Sequence, residues 1–142
     1  MGKIKIPYGE KELLFRVPDK NLALVFDPPL PPPIPDLSGE INRALESPMS
    51  GPSFSARLGK GKKVVLLIDN IARLTPASRI LPPILTAIRK SGAIAEILVA
   101  SGGLREMNEA ELKRKLGEEI LKSGIPITQS RCRDSWDFEF IG

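Results

Sequence analysis

Apolar positions follow two different periods along this chain. Residues 3–17 alternate, with Ile4, Ile6 and Tyr8 ahead of a Gly9-Glu10-Lys11 break and Leu14, Phe15 and Val17 beyond it. That pattern predicts a β-hairpin turning at Gly9. A short apolar run at 22–26 follows, and then six prolines within residues 28–35. Proline fixes φ and donates no hydrogen bond, so this stretch excludes helix and central strand. It reads as a stiff connector laid over the surface, with a polyproline ligand for another protein as the alternative.

Beyond the connector the spacing becomes that of helices and buried strands. Ser38 is placed to cap a short helix with Ile41, Ala44 and Leu45 inward, ending near Pro48. Residues 50–55 lead into a further helical turn. Residues 64–68 and 95–100 are apolar runs, each followed by a polar loop and a helical pattern, the grammar of a parallel sheet. Between them, Thr75-Pro76 opens a helix whose positions Ile80, Leu81, Ile84, Leu85 and Ile88 share one face. Pro82 and Pro83 predict a kink in it, and Ser91-Gly92 its end. Asn108 with Glu111 predicts a capping box. The helix it opens is read as continuous through Leu112 and Leu116 to Ile120 and Leu121, stopping at Gly124. Residues 125–128 are a plausible third strand, and 136–141 alternate like a half-buried edge strand.

The predicted fold class is therefore α/β. A Rossmann-like parallel β-α-β-α-β core over 38–142 follows a β-rich start at 1–27 and a proline-rich connector at 28–37. At 142 residues the chain is most simply one domain or a domain fragment.

Composition narrows the chemistry. No apolar run approaches the ~20 residues needed to span a bilayer, and Met1-Gly2-Lys3-Ile4-Lys5 does not open a signal peptide. The reading is a cytoplasmic protein with no membrane partner. The net charge of +4 suits small anions but lacks the dense basic stripe of a nucleic-acid binder. Aromatic residues are only 5%, too few for base-stacking platforms. The chain has no histidine, which removes the commonest acid-base group and metal ligand. Its only cysteine, Cys132, makes neither an internal disulfide nor a metal site by itself, and reads as a passive thiol. Gly59-Lys60-Gly61-Lys62-Lys63 has no Ser or Thr after its Gly-Lys and precedes a strand instead of following one. It reads as a basic turn, not a phosphate loop.

Two loops carry the candidate chemistry. Each follows a predicted strand and precedes a predicted helix, so both open at the carboxyl edge of a parallel sheet, where such folds bind small ligands. The first holds Asp69, Asn70, Arg73 and Thr75. Its carboxylate and amide can bond loop amides or a ligand, and the arginine fork suits a carboxylate or phosphate. The helix start beyond Thr75 also favours an anion. The same residues fit a purely local arrangement, in which Asp69 caps the turn and pairs with Arg73. The second loop holds Ser101, Gly102, Gly103 and Arg105. Its glycines allow close backbone approach, but two glycines alone most often make a tight turn.

These residues resemble those of the lactate racemase family, the nickel-pincer-nucleotide enzymes. Asp69-Asn70-Ile71-Ala72-Arg73-Leu74-Thr75-Pro76 resembles the family motif D-D-x-T-R-P-T-P. Ala100-Ser101-Gly102-Gly103-Leu104-Arg105-Glu106-Met107-Asn108-Glu109-Ala110-Glu111 resembles A-T-G-T-H-R-P-M-[ST]-x-x-E. Ile6-Pro7-Tyr8-Gly9, Leu81-Pro82 and Lys115-Leu116-Gly117-Glu118-Glu119 extend the likeness over most of the chain. The resemblance implies the N-terminal domain of an enzyme that racemises or epimerises 2-hydroxy acids by moving a hydride to its cofactor and back. Arg73 matches a substrate-holding arginine. Asn70 stands where the family has a functional aspartate. Leu104 stands where it has a catalytic histidine, so no complete catalytic set is present. The resemblance places the cofactor-bearing lysine and the metal-binding histidine further along than residue 142, so the chain looks truncated, with no cofactor of its own.

Three functions follow from this reading: the opening domain of a racemase or epimerase with altered residues, a non-catalytic module holding a small anion or nucleotide on the same scaffold, or an interaction protein using residues 28–35 or its basic surface. The expected partners are a hydroxy acid or phosphate, the remaining C-terminal domain of the same protein, and a second copy paired through apolar strand edges.

Overall fold

The structure is a computed structural model that describes residues 2–26 and 28–131. Cys132 and the strand expected at 136–141 lie outside the described residues. The chain divides into two compact units, Met1–Pro33 and Ile34–Gly142.

In the first unit, β1 (Gly2–Tyr8) pairs antiparallel with β2 (Lys11–Val17). Gly9 has φ 62°, the backbone that a two-residue hairpin turn needs at its first position. Register places Ile4 opposite Phe15 and Ile6 opposite Leu13, so the alternating apolar residues share one face. Lys5 and Glu12 pair at 2.8 Å on the other face. Residues 22–26 form neither strand nor helix, and the prolines beyond them run exposed.

In the second unit, β3 (Lys63–Asp69), β4 (Ile94–Ala100) and β5 (Ile127–Gln129) form a parallel sheet in the order β3-β4-β5. Two crossovers connect them. The first is α3 (Ala77–Lys90), and the second is α4 (Glu109–Leu116) with α5 (Glu118–Lys122). The expected parallel β-α-β-α-β core is therefore present. One sheet face carries the core, in which Ala77, Leu81 and Leu85 of α3 meet Ile97, Leu116 and Ile120. Each fully buried Leu or Ile there contributes about 1.5–3 kcal/mol by transfer from water. On the opposite face Val65, Leu67 and Ile94 are exposed.

Three details differ from the sequence reading. The short helix α1 (Leu37–Glu46) is capped by Asp36, whose Oδ1 accepts from Gly39 N at 2.9 Å, and Ser38 lies inside its first turn. Its inward positions are Leu37, Ile41 and Leu45, while Ala44 is exposed. A second short helix, α2 (Phe54–Arg57), follows. The helix opened by Asn108 is not continuous. Gly117 has φ 88° and ψ 153°, which ends α4, and α5 restarts at the next residue. As read from the sequence, α3 carries Pro82 and Pro83 inside it, each withholding a donor from the preceding turn, and ends at Ser91. Residues 59–63 make the expected basic turn, with Gly61 at φ 78°.

Candidate functional site

Both candidate loops open at the carboxyl ends of adjacent parallel strands, with Asp69 of β3 in register with Ala100 of β4. They enclose a cleft of about 330 Å³, lined by Asp69, Asn70, Ala72, Arg73 and residues 100–104. Six of the eight candidates line it: Asp69, Asn70, Arg73, Ser101, Gly102 and Gly103.

Asn70 is a buried bridge. Its Oδ1 accepts from Ala72 N at 2.9 Å, closing a local turn, and its Nδ2 donates to Ser101 O at 2.9 Å, joining the two loops. Asp69 does not pair with Arg73. Its Oδ1 meets Lys115 Nζ at 2.6 Å, and its Oδ2 accepts from Thr75 Oγ1 at 2.5 Å. Chiefly the Lys115 hydrogen bond, and then that of Thr75, hold the Asp69 carboxyl below the usual carboxylate range, while partial burial acts in the opposite direction. Thr75 therefore serves Asp69 and does not line the cleft.

The two arginines differ sharply. Arg105 donates from Nη1 and Nη2 to the two carboxylate oxygens of Glu111 at 2.8 Å each. Its charge is already matched at the start of α4, where Glu111 also accepts from Asn108 N and completes the expected capping box. That guanidinium, and next the Asn108 amide, lower the Glu111 pKa to about 2. Arg105 does not line the cleft. Arg73 does, and its side chain is exposed with no hydrogen bond or ion pair among the described residues.

The floor of the cleft is rigidly tied. Ser101 is 1% exposed, its N–H donates to Ser130 Oγ at 3.0 Å, and its own hydroxyl is enclosed without a partner among the described residues. Gly102 has φ 57°, and a Cβ at either Gly102 or Gly103 would meet open space. The chain then turns back through Met107, whose N–H and C=O both bond the Gln129 side chain, at 2.7 and 2.9 Å.

Lys115, Gln129 and Ser130 hold these loops, and none was among the candidates read from the sequence. Lys115 carried one signal: it lies three residues after Leu112 and one before Leu116, on the helix face that the period assigns to the core. The contacts of Gln129 and Ser130 join distant segments and leave no local signature.

In a parallel sheet with crossover helices, loops at the carboxyl edge of the strands are where small ligands commonly bind. The comparisons with known proteins identify the family. The family described as the lactate racemase N-terminal domain matches residues 8–142, and the chain belongs to that family. It is 32% identical over 147 residues to a lactate racemase of Thermoanaerobacterium thermosaccharolyticum, covering all of this chain and 34% of that protein. The structure of the lactate racemase apoprotein from that organism superposes with a TM-score of 0.77 at 29% identity, over 99% of this chain and 33% of the other. A crystal structure of a Thermotoga maritima protein matches 68% of this chain and 21% of its own, at TM-score 0.50 and 22% identity, a likeness of fold alone. The chain thus spans about a third of the lactate racemase it resembles.

Among the described residues, no three His, Cys, Asp or Glu side chains gather closely enough to hold a metal ion, and the sequence has no histidine. These residues do not fit a nickel centre. No helix among them is long and apolar enough to cross a membrane.

Proposed function

We propose that this domain supplies the carboxylate-binding part of a 2-hydroxy-acid racemase or epimerase, with Arg73 as the residue that holds the substrate anion. One observation carries the reading. Arg73 is the arginine that lines the cleft, and its fork is uncommitted, whereas Arg105 is bound to Glu111. A guanidinium presents two parallel donors that match a carboxylate in one plane, and they cost nothing to release when no partner is already bound. The backbone at Gly102 and Gly103 leaves room for a ligand to approach closely.

A second reading rests on Leu104. It lines the cleft at the position that matches the family histidine, and it holds no proton. The one carboxylate in the cleft, Asp69, is committed to Lys115 and Thr75 and stays ionised at neutral pH. These residues alone therefore bind an anion without acid-base chemistry at the cleft, as a non-catalytic module does. An active racemase built on this domain would hold the nickel pincer nucleotide and its proton-transferring groups on residues outside the ones present here.

The test is thermal denaturation of the 142-residue chain with increasing L-lactate, and separately with inorganic phosphate. Binding to the folded state raises Tm with ligand concentration. Arg73→Ala abolishes that rise under this proposal. A rise that survives the substitution places the anion elsewhere.

A further inference from the structure

We infer that Lys115 is a positioning residue for this cleft, fixing the backbone from which Arg73 reaches the anion. The inference rests on the assignment of Arg73 as the anion's ligand. Between the end of β3 and the start of α3 the loop has no regular structure of its own. Its first half is held locally, by Arg73 N donating to Asn70 O at 3.1 Å and by the Asn70 side chain. Its second half is held by the Thr75 hydroxyl on Asp69 Oδ2 and, from outside, by a residue of α4.

Lys115 Nζ donates to the carbonyls of Arg73 and Thr75, each at 3.0 Å, and meets Asp69 Oδ1 at 2.6 Å. Two of the three ammonium protons go to backbone carbonyls, and the Asp69 carboxylate supplies the opposite charge as an ion pair. The Lys115 side chain is 3% exposed, and lysine is almost never buried to that degree without partners. The three partners are the last residue of β3, Arg73 itself and Thr75, so they bracket the Arg73 peptide. The ammonium therefore fixes the peptide that carries the guanidinium, although Lys115 does not line the cleft.

The same contact has an electrostatic effect. Asp69 lines the cleft beside Arg73 and would repel an incoming carboxylate. Paired with Lys115, its charge is balanced. Loss of Lys115 thus has two separable consequences, a loosened loop and an unmatched negative charge.

Two variants of the full chain separate them, Lys115→Met and the double variant Asp69→Asn/Lys115→Met. The second also removes the carboxylate that the first leaves without a counter-charge. Amide hydrogen exchange is read at Ala72 and Arg73 against the core amides Ile97 and Leu116, and L-lactate affinity is read by calorimetry. In the double variant the two loop amides should exchange about tenfold faster relative to the core. Its lactate affinity should fall by about tenfold, the scale of losing an outer supporting contact. Loop exchange at the wild-type rate overturns the inference. So does loosened exchange with unchanged lactate affinity, which makes Lys115 structural only. Should the wild-type chain not bind lactate at all, the assignment of Arg73 fails, and the exchange result still decides whether Lys115 orders the loop.

Discussion

Asn70 donates from Nδ2 to the carbonyl of Ser101 at 2.9 Å, so the amide at the end of one strand holds the loop at the end of its neighbour. A carboxylate cannot make that bond. Asn70→Asp keeps the acceptor for Ala72 N but sets a buried negative charge against a carbonyl oxygen. The expected cost is about 1–3 kcal/mol, that of a broken buried hydrogen bond with an unsatisfied partner. Urea denaturation should show a lower midpoint with an unchanged slope. An unchanged midpoint would mean that the two loops do not depend on this bridge.

Leu104 is about half exposed and lines the cleft. Leu104→His should therefore leave stability within about 0.5 kcal/mol of the wild type. It introduces a group that titrates near pH 6.5 into a cleft where none does so at present. An imidazolium favours an anion, so lactate affinity in the variant should rise as pH falls through about 6.5. The wild type should be flat between pH 5.5 and 8. Calorimetric titrations at several pH values check this, and a flat variant would place residue 104 too far from the bound anion.

Much of this architecture is legible in the sequence because its signals are local. The hairpin turn at Gly9, the two apolar strands and the Asn108–Glu111 capping box are each set by residues within a few positions of one another, and each is present. The placement of both loops at one sheet edge follows from the parallel topology. What the sequence did not disclose depends on partners far along the chain. Asp69 takes Lys115 in preference to the nearby Arg73 because a buried ammonium already anchored by two carbonyls needs a counter-charge, which outweighs an exposed local pair. The break at Gly117 was hidden because Leu116 and Ile120 keep helical spacing across it. The Asp36 cap won over Ser38 because Asp36 stands where its oxygen reaches the amide three residues on.

Glycines 103 and 117 should respond differently to alanine. Gly117 has φ 88°, and a Cβ there would lie 3.3 Å from the Ser78 Cβ. Gly117→Ala combines backbone strain with a tight contact, for an expected loss of about 1–3 kcal/mol. Gly103 lies outside the left-handed region, with open space around its Cα, so Gly103→Ala should be neutral in stability. Thermal melts of both variants check the contrast. If lactate seats against the Gly103 backbone, Gly103→Ala should weaken its binding without moving Tm in the absence of ligand.

Acid should destabilise the fold through two carboxylates. Glu111 is held at about 2 by Arg105 and the Asn108 amide, against an ordinary value of 4.5, and Asp69 is lowered by Lys115 and Thr75. A carboxyl whose folded pKa lies below its unfolded value stabilises the fold at pH values above the unfolded pKa. That contribution is lost as pH falls toward the folded pKa. For Glu111 the loss therefore runs from about pH 4.5 to about 2. Both groups are bound to a cation, so protonation ends an interaction instead of relieving a repulsion. Tm should fall steadily over this interval. Glu111→Gln should lower Tm at pH 6 and flatten the curve below pH 4.5, because its side chain no longer titrates. Asp69→Asn should do the same and, by freeing Lys115 of its counter-charge, should lower Tm at pH 6 by more than Glu111→Gln, whose partner Arg105 is exposed to water. Equal losses at pH 6 would show that the Lys115–Asp69 pair contributes no more than a surface ion pair.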